Sequence, residues 1–368
     1  MKYLVISDIH LGHRINESSN IDNNINMFFN KYKAILTDIN VLFIAGDSFD
    51  RLLSTCSKEY IDSINCLLRI YKWCESNNVK LRILEGTPSH DWRQCKVLNE
   101  VVKELGSKVD FKYIDDLSIE KIDGYNVLYI PDEYRDKSIE TMKEIKKKLL
   151  EINLKEVDIC IMHGAFNYQL PIALESNFIE SEMEEIVKYF IHVGHIHTHT
   201  HRGKIVAQGS FDRLRFGEEE DKGAVVAEIG KDTNWIFLPN NNAMIFKTID
   251  LTNMEEDVLF KTLEKEVKKI RTGSCVRVIV DDVNKGLRNN PVITELYKQW
   301  IMKFEVGKDK KKLTLADTIV EDNIIEAFSI TKENIYQLVE SEIDKLEMDV
   351  NEKERILGKF TAILENND

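Results

Sequence analysis

The apolar run Tyr3-Leu4-Val5-Ile6 stops abruptly at Ser7-Asp8-Ile9-His10. A short continuous apolar run bounded by polar residues reads as a strand buried on both faces. Residues two apart on an extended chain share a face, so the Asp8 carboxylate and the His10 imidazole can reach one cation. Alone, such a pair is equally a solvated loop, but the chain repeats the device. The run 41–45 ends in Gly46-Asp47-Ser48-Phe49-Asp50, and the run 80–84 in Glu85-Gly86-Thr87-Pro88-Ser89-His90-Asp91. Residues 158–162 end in His163-Gly164, and 189–193 in Gly194-His195-Ile196-His197. Chance does not place five such endings in order, each after a strand and each glycine where a turn is needed.

Between these strands lie segments with apolar residues at helical spacing. The first, 16–40, carries Ile25, Phe28, Phe29, Tyr32, Ile35 and Leu36; others cover 60–76, 97–105, 139–152 and 182–188. Strand, helix and strand in succession make a parallel crossover, so the fold class is α/β. Further strands are expected at 112–114, 118–122, 125–130, 204–208 and 223–229. In an open α/β sheet the C-terminal strand ends line one crevice, where ligands distant in sequence meet.

From about residue 240 the character changes. Strands at 243–251 and 274–281 alternate with helices at 255–270 and 291–304, without a candidate histidine ligand among them. At 368 residues the chain exceeds what one core sustains. The division expected is 1–240, 241–306, a linker or hairpin at 307–316, and an acidic helical tail at 317–368. The tail's stripes include Ile324, Phe328, Ile335, Leu338, Ile343 and Leu346. No apolar run approaches the ~20 residues of a membrane span, and Met1-Lys2 leads straight into the first strand, so the expectation is a cytoplasmic protein without a membrane segment. Six cysteines without a Cys-x-x-Cys pair read as reduced thiols, not zinc ligands. A net charge of −13 argues against indiscriminate polyanion binding and leaves phosphate contacts to cations or a local basic patch.

Carboxylates mixed with imidazoles suit Mn²⁺, Fe or Zn²⁺, and so many candidates exceed the needs of one ion. Two metals are expected; such a pair, ~3.5–4 Å apart, clamps a phosphoryl group and activates water as hydroxide. Asp47, following a turn glycine, is the natural bridge. Asp50 reads as a turn or cap residue, and His13, His192, His199 and His201 as solvated or supporting histidines.

Asp8-x-His10, Gly46-Asp47-x-x-Asp50, Gly86…His90-Asp91, His163-Gly164 and Gly194-His195-x-His197 together resemble the five blocks of the calcineurin-like metallophosphoesterase superfamily, across roughly the first 230 residues. Gly209-Ser210, Phe216-Gly217-Glu218 and Lys222-Gly223 are similar to the SbcD-type DNA repair nucleases, as are the small α/β unit and the helical tail. The resemblance implies a metallophosphoesterase β-sandwich flanked by helices, a small α/β capping domain and a partner-binding C-terminal tail. It implies that Asp8, His10, Asp47 and His197 hold one metal, preferably Mn²⁺, and Asp47, His163 and His195 the other. The family's third block reads Gly-Asn-His-Asp, with Asn a ligand. Keeping His90 in register puts Ser89 at that position, a hydroxyl being a poorer neutral ligand than an amide. His90 would be the catalytic group beside the leaving oxygen, and Asp91 would orient its ring. The implied activity is a DNA exonuclease or endonuclease that processes DNA ends in recombination and repair. Its implied partners are DNA, an SbcC-like coiled-coil ATPase docked on the tail, and a second copy in a homodimer. A small-molecule (cyclic nucleotide) phosphodiesterase and a non-catalytic metal-binding regulatory module are the alternatives. Turnover of a cyclic dinucleotide, or of nothing at all, would single them out.

Overall fold

Alternation along the first strand decides the layering: Tyr3 and Val5 pack on one side, Leu4 and Ile6 on the other, and all four are fully buried. The computed structural model describes residues 1–106, 109–131, 137–170, 174–282, 284, 290–296, 298–306 and 353. The elements run β1 (Lys2–Ile6), α1 (Ser18–Lys31), α2 (Lys33–Leu36), β2 (Val41–Ala45), α3 (Lys58–Asn77), β3 (Lys80–Leu84), α4 (Val97–Glu104) and β4 (Phe111–Ile114). There follow β5 (Ser118–Ile122), β6 (Tyr125–Ile130), α5 (Ser138–Glu151), β7 (Val157–His163), α6 (Glu180–Ile186), β8 (Val187–Gly194), β9 (Thr200–Arg202), β10 (Ile205–Ala207), β11 (Gly223–Glu228) and β12 (Asn234–Pro239). Last come β13 (Phe246–Asp250), α7 (Glu256–Val267), β14 (Cys275–Val280), α8 (Pro291–Leu296) and β15 (Ile301–Val306).

The fold is mixed α/β, built on two six-stranded sheets. One has the order β12-β11-β1-β2-β3-β4, the other β5-β6-β7-β8-β10-β9. The crossover strands β1 to β4 are parallel, as are β6, β7, β8 and β10. The sheets share one core, in which Tyr3, Val5, Val41 and Phe43 meet Val127, Tyr129, Ile159 and Ile161. On the outer face of the first sheet, Ile21, Ile25 and Phe28 of α1 and Leu67, Ile70 and Tyr71 of α3 cover Leu4, Ile6, Leu42 and Ile44. Met142, Ile145 and Leu149 of α5 do the same for the second. Both faces of the central strands are therefore dry, which is why they read as unbroken apolar runs. Helix α3 starts where Ser57 accepts the Tyr60 N–H (3.2 Å) and stops at Asn78, whose φ of 55° no helix continues through.

An ion pair ties the sheets together. Arg82 on β3, 1% exposed, donates from Nε and Nη2 to the carboxylate of Glu120 on β5 at 2.8 and 2.9 Å. Such a two-pronged pair satisfies a buried guanidinium that would otherwise be costly.

Beyond β12 the chain builds a separate three-stranded parallel sheet, β13-β14-β15, with its own core of Leu251, Leu259, Leu263, Val276, Val278 and Ile293. The helix expected over 291–304 is corrected here. It ends at Leu296, and Met302 and Phe304 pair with Val276 and Val278 in a third strand. Met302 joins the core with Phe304 packed against it, a period of two that the neighbouring β14 selects over the helical alternative. Strand β12 was not expected, because as an edge strand it buries only Leu238 and carries little pattern. Met1–Gly307 is one compact unit. The linker or hairpin at 307–316 and the helical tail at 317–368 lie, but for Lys353, outside the described residues. No helix among the described residues is long and apolar enough to cross a membrane.

Candidate metal centre

The strand ends that carry the candidate ligands, in both sheets, meet at one edge of the shared core. Past the end of β1 the chain follows the continuation of β2: Asp8 N–H donates to Gly46 O (3.1 Å), Ile9 N–H to Asp47 O (2.9 Å) and Leu11 N–H to Ser48 O (2.9 Å). On the second sheet His163 stands beside Gly194. Two glycines let these ends touch. A Cβ on Gly86 would lie 2.1 Å from Asp47 N, and one on Gly194 would lie 2.0 Å from Ala45 O. Asp8, His10, Asp47 and His195 have φ of 50°, 52°, 48° and 84°. Non-glycine residues there cost about 1–3 kcal/mol each and persist only where surrounding contacts impose them. The turned backbone lifts these side chains out of the strand direction and into the crevice.

Among the described residues two groups of donor atoms result, Asp8, His10 and His197 in one and Asp47, His163 and His195 in the other, the atoms of each group within 4.8 Å of one another. In the first, His10 Nε2 lies 3.2 Å from His197 Nε2, which is 3.8 Å from Asp8 Oδ1. In the second, His163 Nε2 lies 3.2 Å from Asp47 Oδ1. The other oxygen of Asp47, Oδ2, is 3.8 Å from His10 Nε2, so one carboxylate faces both groups. Burial opposes its charge, but His163, His10 and His90 outweigh that and hold Asp47 far below the usual carboxylate range.

Neighbouring groups fix how the rings face. His163 Nδ1–H donates to Ala45 O at 2.9 Å, which fixes the ring plane with Nε2 turned toward Asp47. His197 Nδ1 lies 3.2 Å from Glu218 Oε1, and since a carboxylate only accepts, Nδ1 carries the proton and Nε2 is free to bind. Asp8 Oδ1 accepts His195 N–H at 2.9 Å, whereas Asp8 Oδ2 is buried with no hydrogen-bond partner. A carboxylate oxygen so placed is costly unless a cation satisfies it. Imidazoles, carboxylates and that orphaned oxygen fit a divalent metal.

The third block differs from expectation. Ser89 is exposed and takes no part. Thr87, directly after Gly86, occupies the place assigned to it: its N–H donates to Asp47 Oδ1 at 2.6 Å, and its hydroxyl lies 3.3 Å from Asp47 Oδ2, 3.2 Å from His163 Nε2 and 3.4 Å from His195 Nδ1. Atoms sharing one ion at roughly 2.0–2.2 Å lie about 3 to 3.5 Å apart, so Thr87 can complete the second group. With Thr87 at the family's Asn position, Pro88 and Ser89 are the residues by which this block exceeds Gly-Asn-His-Asp. Asp91 does not orient the His90 ring, since both its oxygens are taken by backbone amides. Fully buried, it accepts Phe49 N–H (2.9 Å) and Gly86 N–H (2.8 Å), pinning the second block to the third. Burial, with Asp47 and Glu85 nearby, pushes its carboxyl up to about 7. The His90 ring is oriented instead by the Asp50 carbonyl, which accepts from Nδ1, and lies 5.0 Å from the His10 ring. Asp50 is thus more than a turn residue, its Oδ1 also lying 3.4 Å from His10 Nδ1. Of the other histidines, His192 is wholly buried between the sheets with Nε2 3.0 Å from Tyr3 Oη, while His13 and His199 bond to nearby backbone.

Glu218 and Lys222, part of the resemblance to the SbcD-type nucleases, have a role that the sequence alone does not assign. Lys222, 1% exposed, donates to His197 O (2.9 Å) and Glu220 Oε1 (2.7 Å) and stands 3.2 Å from Glu218 Oε2. His197 and Lys222 overcome burial and hold Glu218 down to about 2. The only sequence signal was their spacing of four in a polar stretch, which ordinarily marks a solvated pair.

No protein-family model matches the chain, and no curated protein does. Among solved structures, one is 12% identical with a TM-score of 0.39, over 64% of this chain and 98% of its own. Another, a protein of unknown function from Aquifex aeolicus, is 16% identical with a TM-score of 0.23, over 45% of this chain and 77% of its own. Likenesses at these TM-scores bear on neither fold nor function, and the reading of the site rests on its own residues.

Proposed function

We propose that the chain is a metal-dependent phosphodiesterase of the calcineurin-like metallophosphoesterase type, with that family's β-sandwich, and that it cleaves DNA. The observation that carries the reading is Asp47, one carboxylate whose two oxygens face separate groups of histidines. Asp8, His10, His197 and Asp47 would hold one cation, and Asp47, His163, His195 and Thr87 a second. Divalent ions there, Mn²⁺ being the one the family resemblance implies, would supply Lewis acidity toward a phosphoryl oxygen and acidify water. The chain's own contribution is placement. The strand ends hold the donors before substrate arrives, so no reorganisation is needed as charge develops. His90, with Nδ1 committed to the Asp50 carbonyl, keeps Nε2 for a proton that passes to the departing oxygen. DNA is favoured over a small phosphodiester by the separate three-stranded domain and by the resemblance to SbcD-type nucleases. A coiled-coil ATPase partner and a homodimer belong to the same proposal.

The experiment is incubation with Mn²⁺ and, separately, labelled duplex DNA, single-stranded DNA, a cyclic dinucleotide and a generic phosphodiester. Asp47→Asn should abolish Mn²⁺-dependent hydrolysis of DNA while leaving the circular-dichroism spectrum unchanged. Undiminished activity in that variant refutes the shared-carboxylate site. Turnover of the cyclic dinucleotide alone replaces the substrate.

A further inference from the structure

The loop between β10 and β11 joins two things otherwise far apart in the chain, the ligand candidate His197 and the three-stranded domain. At one end, Glu218 Oε1 accepts the His197 Nδ1–H, and Glu218 Oε2 accepts Leu214 N–H at 3.0 Å. The buried Lys222 grips the same histidine by its carbonyl and faces Glu218 as well. His197 is therefore held by ring and by backbone from one loop. At the other end, the Phe216 ring packs edge-on against Phe246 of β13 (5.3 Å between centroids), with the Arg277 guanidinium of β14 4.6 Å above it. Asp212 Oδ1 accepts Met244 N–H at 2.6 Å, and the Arg213 guanidinium reaches Met244 O (3.4 Å) and Glu220 O (2.9 Å). Lys247 of β13 lies 3.2 Å from Glu219. Contacts to the small domain and contacts to His197 thus alternate over eleven residues, 212–222.

We propose that this loop is a strap that sets the aim of His197 according to the seating of the three-stranded domain, with Glu218 as the positioning residue and Phe216 as the anchor. The inference rests on the metal-binding reading of Asp8, His10 and His197 above. Its logic is geometric. A histidine binds metal through Nε2 only when Nδ1 keeps the proton, and the group that accepts that proton also fixes the ring plane. Here that group is the Glu218 carboxylate, on a loop whose Phe216 packs against β13 and β14 of the three-stranded sheet. A ligand that shifts the three-stranded sheet, such as a duplex lying across it and the metal crevice, would thereby change metal affinity in the first group more than in the second.

The test measures metal and not cleavage. Mn²⁺ binding to the full chain is followed by titration calorimetry, and anomalous scattering assigns each site. Glu218→Gln, nearly isosteric, should weaken the Asp8/His10/His197 site by about 10–100-fold. Lys222→Met should weaken it too, and Phe216→Ala, which touches no ligand, by about 3-fold or more. The loss at Asp8/His10/His197 should exceed any change at Asp47/His163/His195 in all three, since the groups share only Asp47, and Glu218→Asp should recover part of it. Thermal unfolding of the metal-free variants identifies any that do not fold, and the conclusion is drawn from those that do. Wild-type affinity at the first site in folded Glu218→Gln or folded Phe216→Ala overturns the proposal. Equal weakening at both sites overturns it as well, since that is a general loss of structure. Wild-type protein that binds no Mn²⁺ at all refutes the underlying metal reading instead, so the two failures are distinguishable.

Discussion

Replacing Gly194 by alanine tests how closely the two sheets must approach for the site to exist. The new methyl would sit 2.0 Å from Ala45 O and 2.7 Å from His163 Nδ1, the acceptor and donor of one buried hydrogen bond. To reach even a tight 3.0 Å contact the carbonyl must retreat by about 1 Å. That bond, now 2.9 Å, then no longer satisfies both of its partners. Leaving them unpaired in the core costs roughly 1–3 kcal/mol, and forcing a methylene-sized group into packed backbone another roughly 1–3 kcal/mol. The sum, about 2–6 kcal/mol, is a large share of a typical total of about 5–15 kcal/mol. Urea unfolding of the metal-free protein, followed by circular dichroism, reads the loss. Calorimetric titration with Mn²⁺ reads the consequence, because His163 is released to rotate and affinity at the Asp47/His163/His195 group should fall. Gly124→Ala is the control: at φ 90° with nothing within 4 Å, it should cost only the backbone term of roughly 1–2 kcal/mol. A Gly194→Ala protein that loses less than the control and binds metal like wild type would falsify the close-approach argument.

Other perturbations separate the remaining roles. His90→Ala should keep Mn²⁺ occupancy in anomalous maps while lowering kcat for DNA by about 10²–10⁴-fold; loss of metal would make His90 a ligand instead. Thr87→Val removes one neutral oxygen and should weaken Mn²⁺ at the second group selectively in calorimetry, with Thr87→Ser near wild type; identical behaviour of Val and Thr excludes the hydroxyl. Glu120→Gln leaves the Arg82 guanidinium poorly paired between the sheets and should cost roughly 3 kcal/mol in urea unfolding. The pH dependence has a definite sign. Burial opposes its charge, but Arg82 and Lys112 lower the folded pKa of Glu120, so its contribution is fully present above the unfolded value near ~4.3 and disappears as pH falls through the folded one. The variant should therefore show a shallower loss of stability on acidification, and an unchanged acid limb would refute the assignment.

The strand ends and the candidate donors at their tips were legible in the sequence because both signals are local. A strand dry on both faces must be apolar throughout, so its termination at Asp8, Asp47 or His163 stands out by composition alone. What needed tertiary structure was every choice made between segments. Two facing sheets, in place of one open sheet, supply the donors, because Val127, Tyr129, Ile159 and Ile161 bury their inner faces against Tyr3, Val5 and Phe43. Thr87 and not Ser89 enters the second group, since the left-handed turn at Asp47 and the closeness of Gly86 bring the residue after that glycine onto the carboxylate. Asp91, adjacent to His90 in sequence, turns away to satisfy two backbone amides that only the fold places beside it. The residues 301–306 become a strand because β14 offers an edge to pair with. Glu218 and Lys222 carry charges that a sequence assigns to solvent, and the fold buries them by pairing them with each other and setting both against His197, from 21 and 25 residues away in the chain. Residue type and spacing declare which atoms can bind a metal; which of them face one another is set by contacts between segments whose relative placement no local pattern encodes.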